Sequence, residues 1–219
     1  IQHVYENASR SQTLGGLIVA TDDERIVRAV EAFGGKAALT SPEHSTGTDR
    51  VAEVVRAMDV QVAVNIQGDE PFVHPLMIDE IVQPLLDDPE LPMCTSMHEI
   101  GEAEGFADPN VVKVVVDLAG NALYFSRSLI PYPRTREGHR VFEHIGLYAY
   151  RKDFLLKYAA LPRTPLEKLE SLEQLRVLEH GYRLRVVETR QDYIPLSVDT
   201  PEDLKKAREL ARGRSGGSR

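Results

Sequence analysis

The sequence of 219 residues has a single cysteine, no long apolar run and no block of basic residues. A lone Cys94 excludes an internal disulfide framework and a cysteine zinc cluster, and it is more typical of a small core residue than of a nucleophile. No apolar stretch approaches the roughly 20 residues that span a bilayer, so no membrane span is predicted. The net charge is −8, and nucleic-acid binding requires clustered Lys and Arg, so a nucleic-acid partner is not expected.

The composition that remains is that of an ordinary globular protein. Apolar residues make up 42% and charged residues 27% of the chain, and the length suits one domain with a smaller accessory lobe. The seven histidines lack HxxxH and HxH spacing, which argues against a zinc site. No linker divides the chain. We therefore predict one domain over residues 1–211, with a second-half lobe over about 111–190 and a flexible tail over 212–219.

Short apolar runs alternate with amphipathic stretches in the first half of the chain. Residues 17–20, 37–40 and 60–66 have the length and β-branched content of buried strands. Apolar side chains recur at helical spacing between them, and Gly34 ends the first helical stretch. Strand–helix–strand alternation predicts an α/β fold with a parallel sheet and helices on both of its faces.

The second half has a different pattern. Residues 111–116 and 122–125 flank a turn and predict a hairpin, and residues 144–150 and 183–187 predict two further strands. Leucines recur every three residues behind Thr164, which predicts one helix that ends at Gly181. Glutamates on this helix are expected on a solvated face, with Glu173 and Arg176 as an i,i+3 pair.

Two acidic residues follow predicted strands or precede predicted helices. Asp69 comes directly after the third strand, where ligands bind in open α/β sheets, and Gly68 before it allows a close backbone approach. Asp199 lies one residue outside the cap of the last helix. Taken alone, a local turn role is about as plausible for each. Together, two such carboxylates could bind Mg²⁺ beside a triphosphate.

A polar loop joins the second strand to the next helix. Its hydroxyl groups, glycine and helix N-terminus could bind anions or the polar edge of a base, although simple capping by Thr48 is the better explanation of this pattern taken alone. Arginines in and after the hairpin suit carboxylate recognition, but isolated surface arginines are more common.

The order of the motifs is more specific than any one of them. In chain order, the motifs are LIVATDD, GG, HSTGTDR, NIQGDEP, NVVKVV, ALYFSRSLIPYPR, HIGLYAY, PLEKLESLEQLRVL and VDTPEDL. This set resembles the family of 3-deoxy-manno-octulosonate (Kdo) cytidylyltransferases of Gram-negative bacteria, and the resemblance runs from residue 1 to about residue 210.

The resemblance implies a nucleotidyltransferase-like (Rossmann-like) α/β fold, with a smaller mixed-sheet lobe that forms a homodimer. It also implies a cytoplasmic enzyme of lipopolysaccharide synthesis that transfers CMP from CTP to the anomeric 2-hydroxyl of Kdo and releases pyrophosphate. By motif position, Asp69 and Asp199 are expected to bind Mg²⁺, and Gln67 is expected to contact the reacting groups. The expected cytidine-binding loop is His44, Ser45, Thr46, Gly47, Thr48, Asp49 and Arg50. The expected sugar-acid pocket is Arg127, Arg134, His144, Tyr148, Glu173 and Gln174.

The sequence departs from the family at its start. The family opens with a strand and a phosphate-binding loop with Arg and Lys, and this sequence begins just after them. We therefore expect unpaired strand edges and little synthesis activity from the chain as given. Two alternatives stay open: a cytidylyltransferase for another sugar acid, such as 8-amino-Kdo or sialic acid, and a truncated inactive protein that binds nucleotide sugars.

Overall fold

The computed structural model describes residues 1–101, 104–135 and 137–215. Helices and strands alternate through the first half and mix in the second. The helices are α1 (Gln2–Ala8), α2 (Glu24–Ala32), α3 (Gly47–Arg56), α4 (Pro75–Asp87), α5 (Glu104–Ala107), α6 (Lys152–Ala159), α7 (Pro165–Glu170), α8 (Leu175–Glu179) and α9 (Pro201–Ser215). The strands are β1 (Val19–Thr21), β2 (Ala37–Leu39), β3 (Val62–Asn65), β4 (Met93–Glu99), β5 (Lys113–Val116), β6 (Ala122–Ser126), β7 (Phe142–Arg151) and β8 (Arg185–Glu188).

The strands form a small parallel sheet and a larger mixed sheet. In the small sheet, β1 pairs with β2. The larger sheet has the order β6-β5-β7-β4-β8, and β3 pairs with the far end of β7. Only β4 and β8 run parallel among the described pairs of the larger sheet, because the ten-residue β7 runs antiparallel to β3, β4 and β5. The predicted strands of the first half are confirmed, but the prediction of a parallel sheet holds only for β1–β2 and β4–β8.

Helices cover both faces of the larger sheet, as predicted. One face packs against α3, α6 and α8, in a core that includes Tyr150 and Leu155. The other packs against α1 and α4, in a core that includes Ile78 and Ala149. Among the described residues, β1 pairs only with β2, and β3 pairs only with β7. Helix α3 contacts both β1 and β3 and so connects the two sheets.

The helix predicted from Thr164 to Gly181 is wrong as a single element. Helix α7 ends at Glu170, Ser171 takes a left-handed conformation with φ of 54°, and α8 begins only at Leu175. Residues three apart on a helix step about 60° round its axis, so five leucines at that spacing cannot share one face. Accordingly Leu169 is 81% exposed, whereas Leu172 and Leu175 are buried.

Two other regions differ from the predictions. Strand β4 lies between β7 and β8 and was missed, because Thr95 is its one β-branched residue and the strand lacks the apolar run typical of a buried strand. Helix α9 continues through Ser215, so residues 212–215 of the predicted tail are helical, and residues 216–219 lie outside the described residues. Arg136, one of the arginines that follow the predicted hairpin, also lies outside them.

Candidate active site

The loop after β3 carries the first candidate acid. The carbonyl of Gln67 accepts the N–H of Glu70 at 3.4 Å and closes a turn around half-buried Asp69. The next helix, α4, has His74 as its cap, which accepts the N–H of Leu76. Capping of α4 therefore does not require the Asp69 carboxylate.

The second acid is brought to the first by the main chain. The N–H of Val198 donates to the carbonyl oxygen of Asp69 at 2.9 Å, so Asp199 follows directly after a residue bonded to Asp69. Thr200 and Asp203 cap α9 reciprocally, with Thr200 Oγ1 donating to the Asp203 carboxylate at 2.8 Å and accepting the Asp203 N–H at 3.2 Å. The side-chain carboxylate of exposed Asp199 forms neither of these cap bonds, as predicted, although the Asp199 backbone N–H also acts on the Asp203 carboxylate.

Glu70 belongs to the same acidic group and was not singled out from the sequence. Burial, together with the nearby carboxylates of Asp69 and Glu143, raises the pKa of its carboxyl to about 7, and burial is the largest of these causes. We call Asp69, Glu70 and Asp199 the acidic edge. Within the part of the chain that the structure describes, no three His, Cys, Asp or Glu side chains form a metal-binding group. Two carboxylates supplemented by phosphate and water oxygens are nevertheless a typical Mg²⁺ environment.

The polar loop before α3 is folded differently from the capping interpretation. Thr46, not Thr48, caps α3 by accepting the N–H of Asp49 at 3.1 Å. His44 Nε2 contacts the carboxylate of Glu53 on α3. Ser45 Oγ donates to the Asp49 carboxylate at 3.4 Å, and Gly47 is the first residue of α3.

Arg50 fastens the loop to the small sheet. Its guanidinium donates to Thr40 Oγ1 at 2.8 Å and to Asp22 at 3.0 Å, just beyond the ends of β2 and β1. This residue, predicted to bind cytidine, therefore also holds the strand ends together.

Buried Thr48 instead joins this loop to the break between α7 and α8. Its hydroxyl donates to Glu173 Oε2 at 3.0 Å and lies 3.5 Å from the Asn65 side-chain amide at the end of β3. Burial raises the pKa of Glu173 against the lowering effect of Thr48. Asn65 was missed, although a polar residue that ends a buried strand is a detectable signal. The predicted nucleotide loop and sugar-acid pocket thus meet at one hydrogen bond.

Three predicted pocket residues form one connected group, which we call the neutral pocket: His144, Tyr148 and Gln174. Gln174 Nε2 lies 3.4 Å from His144 Nδ1, and Tyr148 Oη donates to Gln174 Oε1 at 3.3 Å. The His144 and Tyr148 rings are 5.4 Å apart, which confirms that they share a face. Burial lowers the pKa of His144 to about 3, so the ring is neutral at physiological pH.

An electrostatic effect links the acidic edge to the neutral pocket. Burial raises the pKa of Tyr148 above its ordinary range, and the carboxylates of Glu173 and Glu70 add to that effect. A residue of the acidic edge therefore acts electrostatically on a residue of the neutral pocket.

The two candidate arginines are placed differently. Arg127 follows β6, and its guanidinium donates to the carbonyl oxygens of Glu170 and Pro109, each at 2.8 Å. Exposed Arg134 lies in the loop between β6 and β7, and no contact between its side chain and the neutral pocket is found among the described residues. Of the two, Arg127 is the one fixed beside α7.

The glutamates of α7 are not the solvated face that was predicted. Glu167 and Arg176 are both buried and form a two-pronged ion pair with N–O distances of 2.8 and 2.5 Å. Glu170 accepts Ser126 Oγ at 2.7 Å. Arg176 Nη2 lies 3.8 Å from Glu173 Oε1, so the predicted i,i+3 pair is present but long. The ion pair joins α7 to α8 across the break that places Glu173 and Gln174.

Cys94 is confirmed as a core residue. It is fully buried in β4, and burial raises the pKa of its thiol to about 12, so a nucleophilic thiolate is not available at neutral pH. Among the described helices, none has the length and apolarity needed to cross a membrane.

Comparison with known proteins places this site in context. A family model described as "Cytidylyltransferase" matches residues 1–190. The chain is 50% identical to 3-deoxy-manno-octulosonate cytidylyltransferase of Syntrophotalea carbinolica over 97% of this chain and 88% of that protein. It is 51% identical to the protein of the same name from Solibacter usitatus, over 96% of this chain and 83% of that protein.

Solved structures agree with these matches. CMP:2-keto-3-deoxy-manno-octonic acid synthetase complexed with CTP is similar with a TM-score of 0.93 and 46% identity, over 98% of this chain and 88% of that one. A 4-diphosphocytidyl-2C-methyl-D-erythritol synthase from Anaerococcus prevotii is 15% identical with a TM-score of 0.61, which shows a shared fold alone. The predicted α/β nucleotidyltransferase-like architecture is confirmed.

Proposed function

Since this chain belongs to the 3-deoxy-manno-octulosonate cytidylyltransferase family, we propose that it is an enzyme that transfers CMP from CTP to Kdo. The anomeric 2-hydroxyl oxygen of Kdo attacks the α-phosphorus of CTP, the bond to the β-phosphate oxygen breaks, and pyrophosphate leaves. The observation that best supports this reaction is the hydrogen bond from Thr48 to Glu173. It joins the loop proposed for the nucleotide to the pocket proposed for the sugar acid.

Magnesium binding at the acidic edge is part of the proposal. Asp69 and Asp199 would hold the ion, which when bound neutralises charge on the triphosphate. Carboxylate oxygens are ligands that this ion prefers. The hydrogen bond between the backbones of Val198 and Asp69 brings the two acidic residues near each other. Gln67, which precedes Asp69 by two residues, would contact the reacting groups. Because the chemistry is mainly positioning and charge neutralisation, the protein needs no covalent intermediate.

Recognition of the acceptor is assigned to the second-half lobe. Tyr148, Glu173 and Gln174 offer polar groups to hydroxyls, and a sugar without those hydroxyls would leave them unpaired. Arg127 is the better placed partner for the acceptor carboxylate, since two backbone carbonyls already orient its guanidinium. Arg134 is the second candidate.

A homodimer is also proposed, formed by the second-half lobe. A contiguous apolar surface patch is typical of a protein interface, and three leucines of this lobe are exposed. They are Leu118, Leu123 and Leu169, which are 110%, 62% and 81% exposed. Light scattering on Leu123→Glu should show the shift to a monomer. A cytoplasmic location is proposed as well, because the reaction consumes CTP.

Pyrophosphate release by the intact protein tests the reaction. We expect release only with CTP among the four nucleoside triphosphates, only with Kdo among Kdo, 8-amino-Kdo and sialic acid, and only with a divalent cation. Mass spectrometry of the product should give the mass of CMP-Kdo. Preference for another sugar acid would replace the acceptor, and binding of CTP without any turnover would support the inactive binding protein.

A further inference from the structure

A buried threonine on β4, Thr95, contacts the His144 side chain of the neutral pocket. Thr95 Oγ1 lies 2.9 Å from His144 Nε2, 2.8 Å from the carbonyl oxygen of Leu147 and 3.2 Å from that of Ile145. The residue is 0% exposed, so the only partners of this hydroxyl lie inside the protein. Nothing in the sequence pattern singles out Thr95.

An irregularity in the pairing of β4 with β7 explains these contacts. Thr95 is paired with Tyr148, but the next residue, Ser96, is paired with Ile145, so Gly146 and Leu147 bulge out of the ladder. A bulge disrupts the regular backbone pairing locally. The Thr95 hydroxyl compensates by lying within hydrogen-bond distance of two carbonyl oxygens at the bulge, those of Ile145 and Leu147, and by donating its proton there.

The hydrogen-bond directions follow from counting protons. A hydroxyl has one proton, and a carbonyl oxygen can only accept, so the Thr95 proton is committed to Leu147 or Ile145. Toward His144 the oxygen can then only accept, and Nε2 must carry a proton. Because the ring is neutral, Nδ1 has a free lone pair and accepts from Gln174 Nε2. Gln174 Oε1 is thereby turned to accept from Tyr148.

We propose that Thr95 is a positioning residue that fixes the Nε2–H tautomer of His144 and, through it, the amide orientation of Gln174 and the proton direction of Tyr148. This inference rests on the proposed function for its ligand, a polyhydroxylated sugar acid. The fixed directions leave one Nε2 hydrogen of Gln174 as a donor and the lone pairs of Tyr148 Oη as acceptors. A sugar hydroxyl, which both donates and accepts, complements that pair.

Loss of the Thr95 hydroxyl should reverse the His144 tautomer and the hydrogen-bond directions of Gln174 and Tyr148, or leave both tautomers populated. With Nδ1 protonated instead, Gln174 would have to turn its oxygen to His144 and its amide nitrogen to Tyr148. Thr95→Val keeps the side-chain shape but removes the acceptor for Nε2–H. An unpaired buried donor costs enough that we expect the KM for the sugar acid to rise about tenfold, with the KM for CTP unchanged.

Nitrogen NMR of ¹⁵N-histidine-labelled intact protein reports the tautomer without requiring turnover. We expect a pyrrole-type Nε2 and a pyridine-type Nδ1 for His144 at neutral pH, a reversed or averaged pair in Thr95→Val, and recovery of tautomer and KM in Thr95→Ser. Ser96→Ala is the matched control: this buried neighbour donates to Val187 on β8, away from His144. It should change neither readout.

A charged or Nδ1-protonated His144 in the unaltered protein would overturn the inference. So would a Thr95→Val variant with the original tautomer, or one with a reversed tautomer and an unchanged KM for the sugar acid. If Thr95→Val fails to fold, the unaltered protein and Thr95→Ser still decide the tautomer. If no turnover with Kdo occurs at all, the proposed function fails, whereas the NMR result still decides whether Thr95 sets His144.

Discussion

The acidic edge and the neutral pocket differ in how the hydrogen-bonding needs of their polar side chains are met. In the neutral pocket each named side chain is buried and has hydrogen-bond partners, and His144 is kept uncharged. At the acidic edge Asp69 and Asp199 are more exposed, and neither forms an ion pair within the described residues. Buried polar groups need hydrogen-bond partners within the folded protein, whereas exposed carboxylates are solvated by water until a cation binds.

This contrast assigns different tasks to the two regions. A pre-arranged set of neutral donors and acceptors selects a ligand by shape and hydrogen bonding. Carboxylates without an ion-pair partner attract and orient positive charge. A divalent cation bound to a triphosphate substrate supplies that charge. The contrast predicts that changes in the pocket affect acceptor use, and that changes at the edge affect turnover.

The largest expected effect concerns the support of the neutral pocket. Arg176→Met should lower the free energy of unfolding by about 3–5 kcal/mol, because it leaves the Glu167 carboxylate buried without its main partner. Arg163→Met is the control: Arg163 contacts the same carboxylate but is 54% exposed, so we expect a loss of about 1 kcal/mol or less. Urea unfolding measures both. Equal losses would show that burial of Arg176 is not what makes the pair important.

At the acidic edge, Asp69→Asn and Asp199→Asn should each lower kcat by about a hundredfold or more without lowering thermal stability, because a metal-binding charge is lost while size is kept. Asp203→Asn is the control on the same segment. It weakens the α9 cap, worth about 1 kcal/mol, and should leave kcat unchanged. Pyrophosphate release and thermal unfolding measure the two effects. Normal magnesium-dependent rates in either variant would assign that acid to a turn.

In the neutral pocket, Tyr148→Phe should raise the KM for the sugar acid about tenfold and leave the KM for CTP unchanged, because one donor to Gln174 and one acceptor for the ligand are removed. Tyr182→Phe is the control, since the Tyr182 ring packs on Phe154 and Lys157 instead. Initial rates with each substrate varied in turn separate the two KM values. A change in the KM for CTP alone would contradict the division of tasks.

Two residues of the acidic edge were predictable from local sequence, although Glu70 was missed. Asp69 and Asp199 stand out because they follow or precede regular elements, where local spacing is informative. For the pocket, the leucine spacing predicted a continuous helix that would have placed Glu173 and Gln174 at its margin. In the structure, the break at Ser171 positions Glu173 and Gln174. The buried Glu167–Arg176 ion pair joins the two short helices on either side of that break.

Other pocket features depend on contacts between distant segments. Strand β4 has a mixed composition, and its position between β7 and β8 is decided by burial on both faces. The role of Thr95 depends on a bulge in the partner strand, 50 residues away in the sequence for Ile145. No periodicity in β4 itself reports that bulge. The roles of His144 and Tyr148 were accessible through family resemblance and a shared strand face.

The smallest effect is a pH dependence of stability at the acidic edge. In the folded protein the pKa of Glu70 is about 7, above its ordinary value of 4.5. Between those pH values the unfolded chain has released this proton and the folded protein still holds it, so the free energy of unfolding falls as pH rises. Glu70→Gln removes that fall. In the presence of a chelator, the free energy of unfolding of the variant should equal that of the unaltered protein at pH 5 and exceed it by about 1 kcal/mol at pH 8. This difference is smaller than the full pKa shift would give, because the side chain is partly exposed. Glu31→Gln, an exposed change on α2, should leave the pH profile unaltered. Urea unfolding at both pH values measures the slopes, and equal slopes for Glu70→Gln and the unaltered protein would show that the Glu70 carboxyl is not held protonated by its neighbours.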